Sequence, residues 1–252
     1  MIVWEDQVQH MHLPKQRYLI EPIVPVSSVV LLHGDAGIGK SPLSWALANA
    51  VSSGTNIFGL PTTQTHVLYL ETDTPAPVVL ARLQGANFHN HFTFLFVDTN
   101  LDVLGMGWLK SKAYQEIEQA KQGLLLNVNG EYGLVVVNTL RKVHSEEDTK
   151  SHVPNLVYKK FQEAFPRAAI LFVHHDRKSS QYDGMLPAGD KASGSKHWVN
   201  DCQVQLHLTG TPQALKLEQL KNQGGPPIRP IYLRLESDGV TLTERSGARI
   251  QV

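Results

Sequence analysis

The sequence predicts an α/β fold in which a mostly parallel sheet is flanked by helices and continues into antiparallel strands at its C-terminal end. Two observations support this prediction. Before residue 200, short β-branched runs alternate with helical stretches, which is typical of a parallel sheet covered on both faces. After residue 200, strand-like segments follow one another without helices between them.

The predicted strands all have the length and apolar character of buried sheet strands. They read SSVVLLH (27–33), THVLYLE (65–71), FTFLFVD (92–98), GLVVVN (133–138) and AAILFVHH (168–175). The predicted helices cover 42–53, 75–84, 108–122 and 152–165. Pro42 falls in the first turn of its helix, and Thr74 followed by Pro75 is typical of a helix start, with Thr74 as the N-cap.

The C-terminal segments CQVQLHLTG, ALKLEQLKN, PIYLRLES and GVTLTE predict an antiparallel extension over 200–252. An extension of the same sheet is favoured over a separate domain. We therefore expect a single domain over 1–252, with 1–26 as an N-terminal segment.

Composition excludes several classes of function. The chain has 23 Lys and Arg against 23 Asp and Glu, so it lacks the global basic charge that would hold a whole surface on nucleic acid. Its one cysteine, Cys202, cannot form an internal disulfide. No apolar run approaches the roughly 20 residues that cross a bilayer, and the N-terminus has no signal-like apolar region. These features predict a cytoplasmic protein with no membrane partner.

A nucleotide-binding motif follows the first strand, in the stretch HGDAGIGKSP. The pattern G-x-x-x-x-G-K-[ST] between a strand and a helix predicts a phosphate-binding loop. We expect Lys40 to contact the β- and γ-phosphates of ATP or GTP, and the Ser41 hydroxyl to bind Mg²⁺. ATP and Mg²⁺ are the expected cofactors. The predicted nucleotide-binding residues are Gly34, Asp35, Ala36, Gly37, Ile38, Gly39, Lys40, Ser41 and Pro42.

Carboxylates follow the second strand, in VLYLETDTP. Sites of open α/β sheets collect at the carboxyl ends of strands, so Glu71 is placed to activate the attacking water. Asp73, two residues further on, is the alternative candidate and a possible metal ligand.

Asn138 stands at the end of the fourth strand, where nucleotide hydrolases carry a metal-supporting acid. Its carbonyl oxygen could accept a hydrogen bond from a metal-bound water without contributing charge. Two consequences are open. Mg²⁺ affinity and turnover could both be reduced, or the neutral residue could be tolerated because Ser41 and the phosphates already hold the ion.

In its motifs the chain resembles the RecA-like hexameric ATPases, and most closely the plasmid replicative helicases of the RepA type and their phage and prophage relatives. The resemblance spans about residues 18 to 235. It rests on HGDAGIGKS, VLYLETDTP, LVVVNTLRKVHSEED, ILFVHHDRKSS, KASGSKHWVND and LKNQGG, in that order. It implies that Glu71 activates water and that His174 or His175 senses the γ-phosphate. Alternation of side chains along a strand lets only one of these histidines face the nucleotide, and His175 is favoured because it lies nearer the strand's end.

The resemblance also implies that the loops after the fourth and fifth strands face a central channel and bind single-stranded DNA. The second of these loops covers 176–195, and it combines charge for phosphates with one ring for base stacking. A solvated flexible loop is the alternative interpretation. The predicted DNA-binding residues are Arg177, Lys178, Tyr182, Lys191 and Lys196.

Lys221, in LEQLKNQGG, matches the position of a basic finger that reaches the γ-phosphate held by a neighbouring subunit. Gln223 stands where relatives often carry arginine. A lysine supplies charge without a bidentate fork, so stabilisation across the interface is expected to be weaker than in those relatives.

The expected function is that of a Mg²⁺-dependent RecA-like ATPase, a catalytic ring that couples ATP hydrolysis to single-stranded DNA as a helicase or as a replication or recombination motor. Its expected partners are single-stranded DNA, copies of itself in a hexamer, and other replication or recombination proteins. One alternative is a weakly hydrolysing, nucleotide-gated DNA-binding adaptor or regulator. Another is a P-loop kinase for a small molecule, which predicts a monomer whose activity is independent of DNA.

Overall fold

The computed structural model describes residues 15–97, 101–128, 130–147, 149–176, 192 and 196–245. The strands, in chain order, are β1 (Tyr18–Ile20), β2 (Val24–Pro25), β3 (Val29–Gly34), β4 (His66–Glu71), β5 (Phe92–Phe96), β6 (Tyr132–Asn138), β7 (Ala169–His175), β8 (Val204–Thr211), β9 (Ala214–Asn222), β10 (Ile231–Leu235) and β11 (Leu242–Glu244). The α-helices are α1 (Lys40–Ser53), α2 (Ala76–Arg82), α3 (Lys112–Val128), α4 (Val153–Ala164) and α5 (His197–Asn200). Short 3₁₀ helices cover Trp108–Lys110 and Leu140–Lys142.

Nine strands form one sheet in the order β11-β10-β9-β8-β3-β7-β6-β4-β5. Strands β3 to β7 are parallel to one another, and β9, β10 and β11 are antiparallel to their neighbours. The predicted fold class is therefore confirmed, and all five predicted parallel strands are present.

Strand β8 differs from the prediction, because it pairs with β3 in a parallel arrangement and not an antiparallel one. Parallel pairing needs a crossover connection of a dozen or more residues. The long connection from the end of β7 at His175 to the start of β8 at Val204 meets that requirement. The antiparallel extension therefore begins one strand later than the sequence pattern indicated.

The sheet separates two apolar clusters because side chains along a strand alternate between its faces. Val30 and Leu32 pack on the face covered by α1. Val29 and Leu31 pack in the other cluster, to which α4 contributes Val157. Both faces are covered, which explains why the central strands read as continuous apolar runs.

The predicted helix over 108–122 is divided at Ser111. A 3₁₀ helix ends at Lys110, and the backbone of Ser111 is extended. The Ser111 hydroxyl accepts a hydrogen bond from the Tyr114 N–H at 3.1 Å, as an N-cap residue does, so α3 begins after it. Within the described part of the chain, no helix combines the length and apolar character needed to cross a membrane.

Cys202 provides a probe of the closed state of the fold. Its side chain is fully buried, its thiol donates a hydrogen bond to the Val199 carbonyl oxygen at 3.2 Å, and burial raises its pKa to about 12. Since the thiolate is the reactive form, we expect native protein at pH 8 to react with a disulfide reagent at least about 100-fold more slowly than urea-unfolded protein. The chain has one cysteine, so the whole signal reports this residue. Equal rates in the two states would contradict the buried position.

Candidate active site

A tight glycine-rich turn joins β3 to α1. A Cβ atom on Gly34 would lie 2.3 Å from the carbonyl oxygen of Leu208 on β8, so only glycine fits beside that strand. Gly39 has a φ of 115°, in the left-handed region that glycine adopts without strain. Residues 35–37 between them are exposed. The turn therefore presents its backbone to solvent directly before the N-terminus of a 14-residue helix, which attracts anions.

Lys40 is held beneath this turn. Its ammonium donates hydrogen bonds to the carbonyl oxygens of Gly34 at 2.8 Å and Asp35 at 2.6 Å, and it lies 3.3 Å from Nδ1 of His175. Burial lowers the pKa of Lys40 to about 8, while the negative charges of Asp176 and Asp35 oppose that shift. The ammonium is thus a buried cation at the edge where the motif places the β- and γ-phosphates.

Ser41, Asn138 and Glu71 form a hydrogen-bonded chain. Glu71 and Asn138 are register partners on β4 and β6, so their side chains point to the same face of the sheet. The Asn138 amide nitrogen donates to Glu71 Oε2 at 2.7 Å and to Ser41 Oγ at 3.2 Å. The amide nitrogen must face Glu71, since an ionised carboxylate can only accept hydrogen bonds.

This orientation corrects one expectation about Asn138. From the sequence we expected its carbonyl oxygen to accept a hydrogen bond from a metal-bound water. In the structure it is the amide nitrogen that faces Ser41. Asn138 therefore acts as a bridge that positions Glu71 against Ser41.

Glu71 is 1% exposed and is fixed by backbone groups as well as by Asn138. Its Oε1 accepts hydrogen bonds from the N–H groups of Asp73 at 3.1 Å and Thr74 at 3.0 Å. Burial raises the pKa of Glu71, and these three donated bonds oppose the increase. The predicted N-cap at Thr74 is wrong, because α2 is preceded by Pro75 without a side-chain cap, and the Thr74 N–H is used to hold Glu71. Asp73 itself is exposed beside the site.

The two histidines at the end of β7 face opposite sides of the sheet. His175 faces Lys40, and burial followed by the charge of Lys40 lowers the pKa of His175. A neutral ring results, whose Nδ1 accepts a hydrogen bond from the ammonium. His174 is 1% exposed and packs near Trp198, with ring centroids 5.9 Å apart. The histidine that contacts the phosphate-binding turn is therefore His175, and its sensor role stays a prediction.

Comparison with known proteins identifies the family. A family model described as "AAA domain" matches residues 1–181. The chain belongs to this family. Among solved structures, the ATPase domain of a phage replicative helicase is similar to it with a TM-score of 0.61 and 11% identity, over 86% of this chain and 84% of that one. No curated protein sequence matches the chain. The RecA-like resemblance is confirmed at the level of the fold, and this AAA domain is a nucleotide-binding ATPase of RecA-like type.

The side chains of the AAA domain fit a nucleoside triphosphate with its Mg²⁺. The glycine turn leaves open space around Gly37, where a Cβ atom would meet nothing within 4 Å. Lys40 supplies a cation for the phosphates, Ser41 a hydroxyl for the metal, and Glu71 a carboxylate for water. All three lie at the carboxyl ends of neighbouring parallel strands, where open α/β sheets bind ligands.

Most of the predicted DNA-binding residues lie outside the described part of the chain, namely Arg177, Lys178, Tyr182 and Lys191. Lys196 is described, and it is exposed directly before α5. The structure therefore gives no side-chain positions for the loop itself.

Lys221 is engaged within its own chain. Its ammonium donates to the carbonyl oxygens of Val199 at 3.1 Å and Asn200 at 2.6 Å, at the end of α5. To reach a neighbouring subunit, the side chain must give up both hydrogen bonds. The finger role of Lys221 stays a prediction, and that cost makes it weaker than the sequence pattern indicated.

Two threonines at this edge of the sheet were not predicted from the sequence. Thr72 follows Glu71, and Thr139 follows Asn138. The Thr139 N–H donates to Thr72 Oγ1 at 2.9 Å, and the Thr72 N–H donates to the Asn138 carbonyl oxygen at 2.7 Å. These bonds tie the ends of β4 and β6 together. A threonine directly after each candidate polar residue was the available signal.

Asn138→Asp restores the acid usual at this position, yet we expect it to destabilise the nucleotide-free protein. It replaces a buried donor with an acceptor 2.7 Å from Glu71 Oε2. Loss of a buried hydrogen-bond partner costs about 1–3 kcal/mol, and two adjacent carboxylates add repulsion. The melting temperature should fall without ligand, and Mg²⁺ with ATP should recover most of the loss.

The matched control for this prediction is Asn155→Asp, on the exposed face of α4, which should change the free energy of unfolding by less than about 0.5 kcal/mol. A stable Asn138→Asp protein in the absence of Mg²⁺ and nucleotide would contradict the bridging role of Asn138.

Proposed function

We propose that the AAA domain hydrolyses ATP with Mg²⁺ and that Glu71 orients the attacking water. The observation that carries this proposal is the hydrogen-bonded chain from Ser41 through Asn138 to Glu71, beside the buried Lys40 ammonium. It brings a metal-binding hydroxyl and a water-activating carboxylate to the same strand edge.

In the proposed mechanism, the backbone of the glycine turn and the Lys40 ammonium bind the phosphates. Ser41, with Asp73 as a second candidate ligand, would hold Mg²⁺, which when bound neutralises charge on the phosphate oxygens. Glu71 accepts a hydrogen bond from the attacking water, and Asn138 together with two backbone N–H groups keeps its carboxylate in place.

The role of Ser41 is tested by Ser41→Ala. Loss of one metal ligand should raise the Mg²⁺ concentration that gives half-maximal ATP hydrolysis by about tenfold, equivalent to 1.4 kcal/mol of binding free energy. Ser53→Ala on the same helix is the control, because its hydroxyl bonds to the Asn49 carbonyl oxygen, away from the site. An unchanged Mg²⁺ requirement would contradict the role of Ser41.

We further propose that the domain acts as a ring whose nucleotide state controls binding of single-stranded DNA through the segment 177–195. Two contacts support this coupling. His175 touches the Lys40 ammonium, and the Asp176 N–H donates to the Gly34 carbonyl oxygen at 3.0 Å. A γ-phosphate that displaces Lys40 would therefore act on the residues directly before this segment. In a ring, a few basic residues per subunit form a basic channel although each protomer has no net charge.

DNA binding is tested with the double variant Arg177→Ala, Lys178→Ala and a labelled single-stranded oligonucleotide. We expect weaker binding and a shallower dependence on salt, because two phosphate contacts per subunit are lost. The control is Lys159→Ala, Lys160→Ala on α4, which removes two exposed cations that pair with Glu163. Equal losses in the two double variants would contradict a specific DNA-binding loop. Native mass measurement with ATP tests the expected hexamer.

One observation favours a second candidate function, a nucleotide-gated adaptor with weak hydrolysis. Asn138 brings no negative charge to the metal side of the site, and its amide nitrogen faces Ser41. In that case ATP binding would change DNA affinity while phosphate release stayed slow.

A further inference from the structure

A row of histidines crosses the sheet where β7, β3 and β8 end. His33 on β3 is the register partner of His174 on β7 and of His207 on β8. Register partners in a parallel sheet point to the same face. The rings of His33 and His207 are stacked, with centroids 4.4 Å apart and 13° between their planes.

Asp176, the residue after β7, closes this row with a carboxylate. Its Oδ1 lies 2.6 Å from His33 Nδ1, and its Oδ2 lies 3.0 Å from His207 Nε2. The three side chains are at most 6% exposed. One nitrogen or oxygen atom of each lies within 4.8 Å of the other two. These three residues are the His33–Asp176–His207 cluster, and none of them is among the residues proposed to hold ATP or its Mg²⁺.

Two imidazole nitrogens and one carboxylate oxygen are a ligand set that suits Zn²⁺ and neighbouring first-row divalent ions. We infer that the His33–Asp176–His207 cluster binds one such cation, with Zn²⁺ as the first candidate. Ligands about 2.0–2.2 Å from a tetrahedral ion lie about 3.3–3.5 Å from one another. The nitrogen–oxygen distances of 2.6 and 3.0 Å therefore need only a small expansion. A water completes the coordination, as in zinc sites with three protein ligands.

Gln205 supplies the outer hydrogen bond that the bound state needs. Its Nε2 lies 2.8 Å from His33 Nε2, so the amide donates to that nitrogen and the ring proton is on Nδ1, facing Asp176. When Nδ1 binds a metal, the proton moves to Nε2, and the amide of Gln205 turns to accept it. His207 likewise moves its proton from Nε2 to Nδ1. Both rings stay neutral, so binding releases no net proton.

The bound ion would join three strands at the base of the segment that follows Asp176. His33 directly precedes Gly34 of the phosphate-binding turn, and Asp176 directly follows His175. The inferred ion is therefore a structural support placed between the nucleotide site and the segment 177–195.

The test is a titration of the untagged full-length chain, free of nucleotide, with Zn²⁺ and with Co²⁺, which absorbs visible light in tetrahedral sites. We expect one tightly bound equivalent per chain. His207→Gln removes a ligand and should weaken affinity by more than about 100-fold, whereas Gln205→Leu removes only the outer bond and should weaken it about 10- to 100-fold. Asp176→Asn, which is isosteric, provides a second ligand variant if His207→Gln does not fold by thermal melting.

Two control variants exclude other metal sites. Ser41→Ala removes the hydroxyl of the ATP site, and His91→Gln disrupts a second histidine pair, in which the rings of His66 and His91 are 4.2 Å apart. Both variants should bind Zn²⁺ as the wild type does. Wild-type protein without a saturable Zn²⁺ or Co²⁺ site, or ligand variants with wild-type affinity, would overturn the inference.

Discussion

Glu71→Gln should slow ATP hydrolysis by about 100- to 10,000-fold, the usual contribution of a general base, while ATP affinity changes by less than about threefold. The substitution keeps the size of the side chain and one oxygen that can accept from the Asp73 and Thr74 N–H groups. It removes the second carboxylate oxygen, so Asn138 must turn its amide to maintain their contact. The loss therefore falls on the chemical step and not on ATP binding.

Single-turnover phosphate release, measured with ATP binding on the same samples, separates these two effects. Glu118→Gln is the matched control, since Glu118 lies on α3 and pairs with Lys121 at 2.7 Å. A Glu71→Gln protein that hydrolyses ATP within threefold of the wild-type rate would show that the base is another group, with Asp73 the next candidate.

Lys40→Ala should abolish ATP hydrolysis to within detection and weaken ATP binding. One preorganised donor to a developing charge contributes about 10²–10³ in rate, and Lys40 also provides binding charge for the phosphates. The native protein already holds this ammonium at the site through the Gly34 and Asp35 carbonyl oxygens. Its removal from a buried position should not unfold the chain, because a desolvated cation is costly to keep.

The measurement is ATP affinity by titration calorimetry together with a melting curve for each variant. Lys112→Ala is the control, because that lysine is 78% exposed and pairs with Glu116 on the surface of α3. Undiminished ATP binding by a folded Lys40→Ala protein would contradict the placement of the phosphates beside Lys40.

The features that sequence could predict are those set by local pattern. Each parallel strand from β3 to β7 is an apolar run of strand length, and the glycine turn before α1 has a spacing that few other structures require. Glu71 and His175 were identifiable because they end buried strands, and the ends of parallel strands meet at one edge of the sheet.

The features that could not be predicted depend on contacts between residues far apart in the chain. The direction of β8 depends on the path of the connection before it. The orientation of the Asn138 amide depends on its register with Glu71, and the cluster of His33, Asp176 and His207 depends on three strands aligning. None of these contacts leaves a periodic signal in the sequence.

The most direct test of the proposed function is the rate of ATP hydrolysis by the wild-type chain at saturating Mg²⁺, with and without single-stranded DNA. We predict measurable turnover that DNA increases and that both Lys40→Ala and Glu71→Gln abolish. ATP binding without turnover above these two variants would contradict a hydrolytic motor, and it would favour the nucleotide-gated adaptor in which Asn138 has replaced the metal-supporting acid.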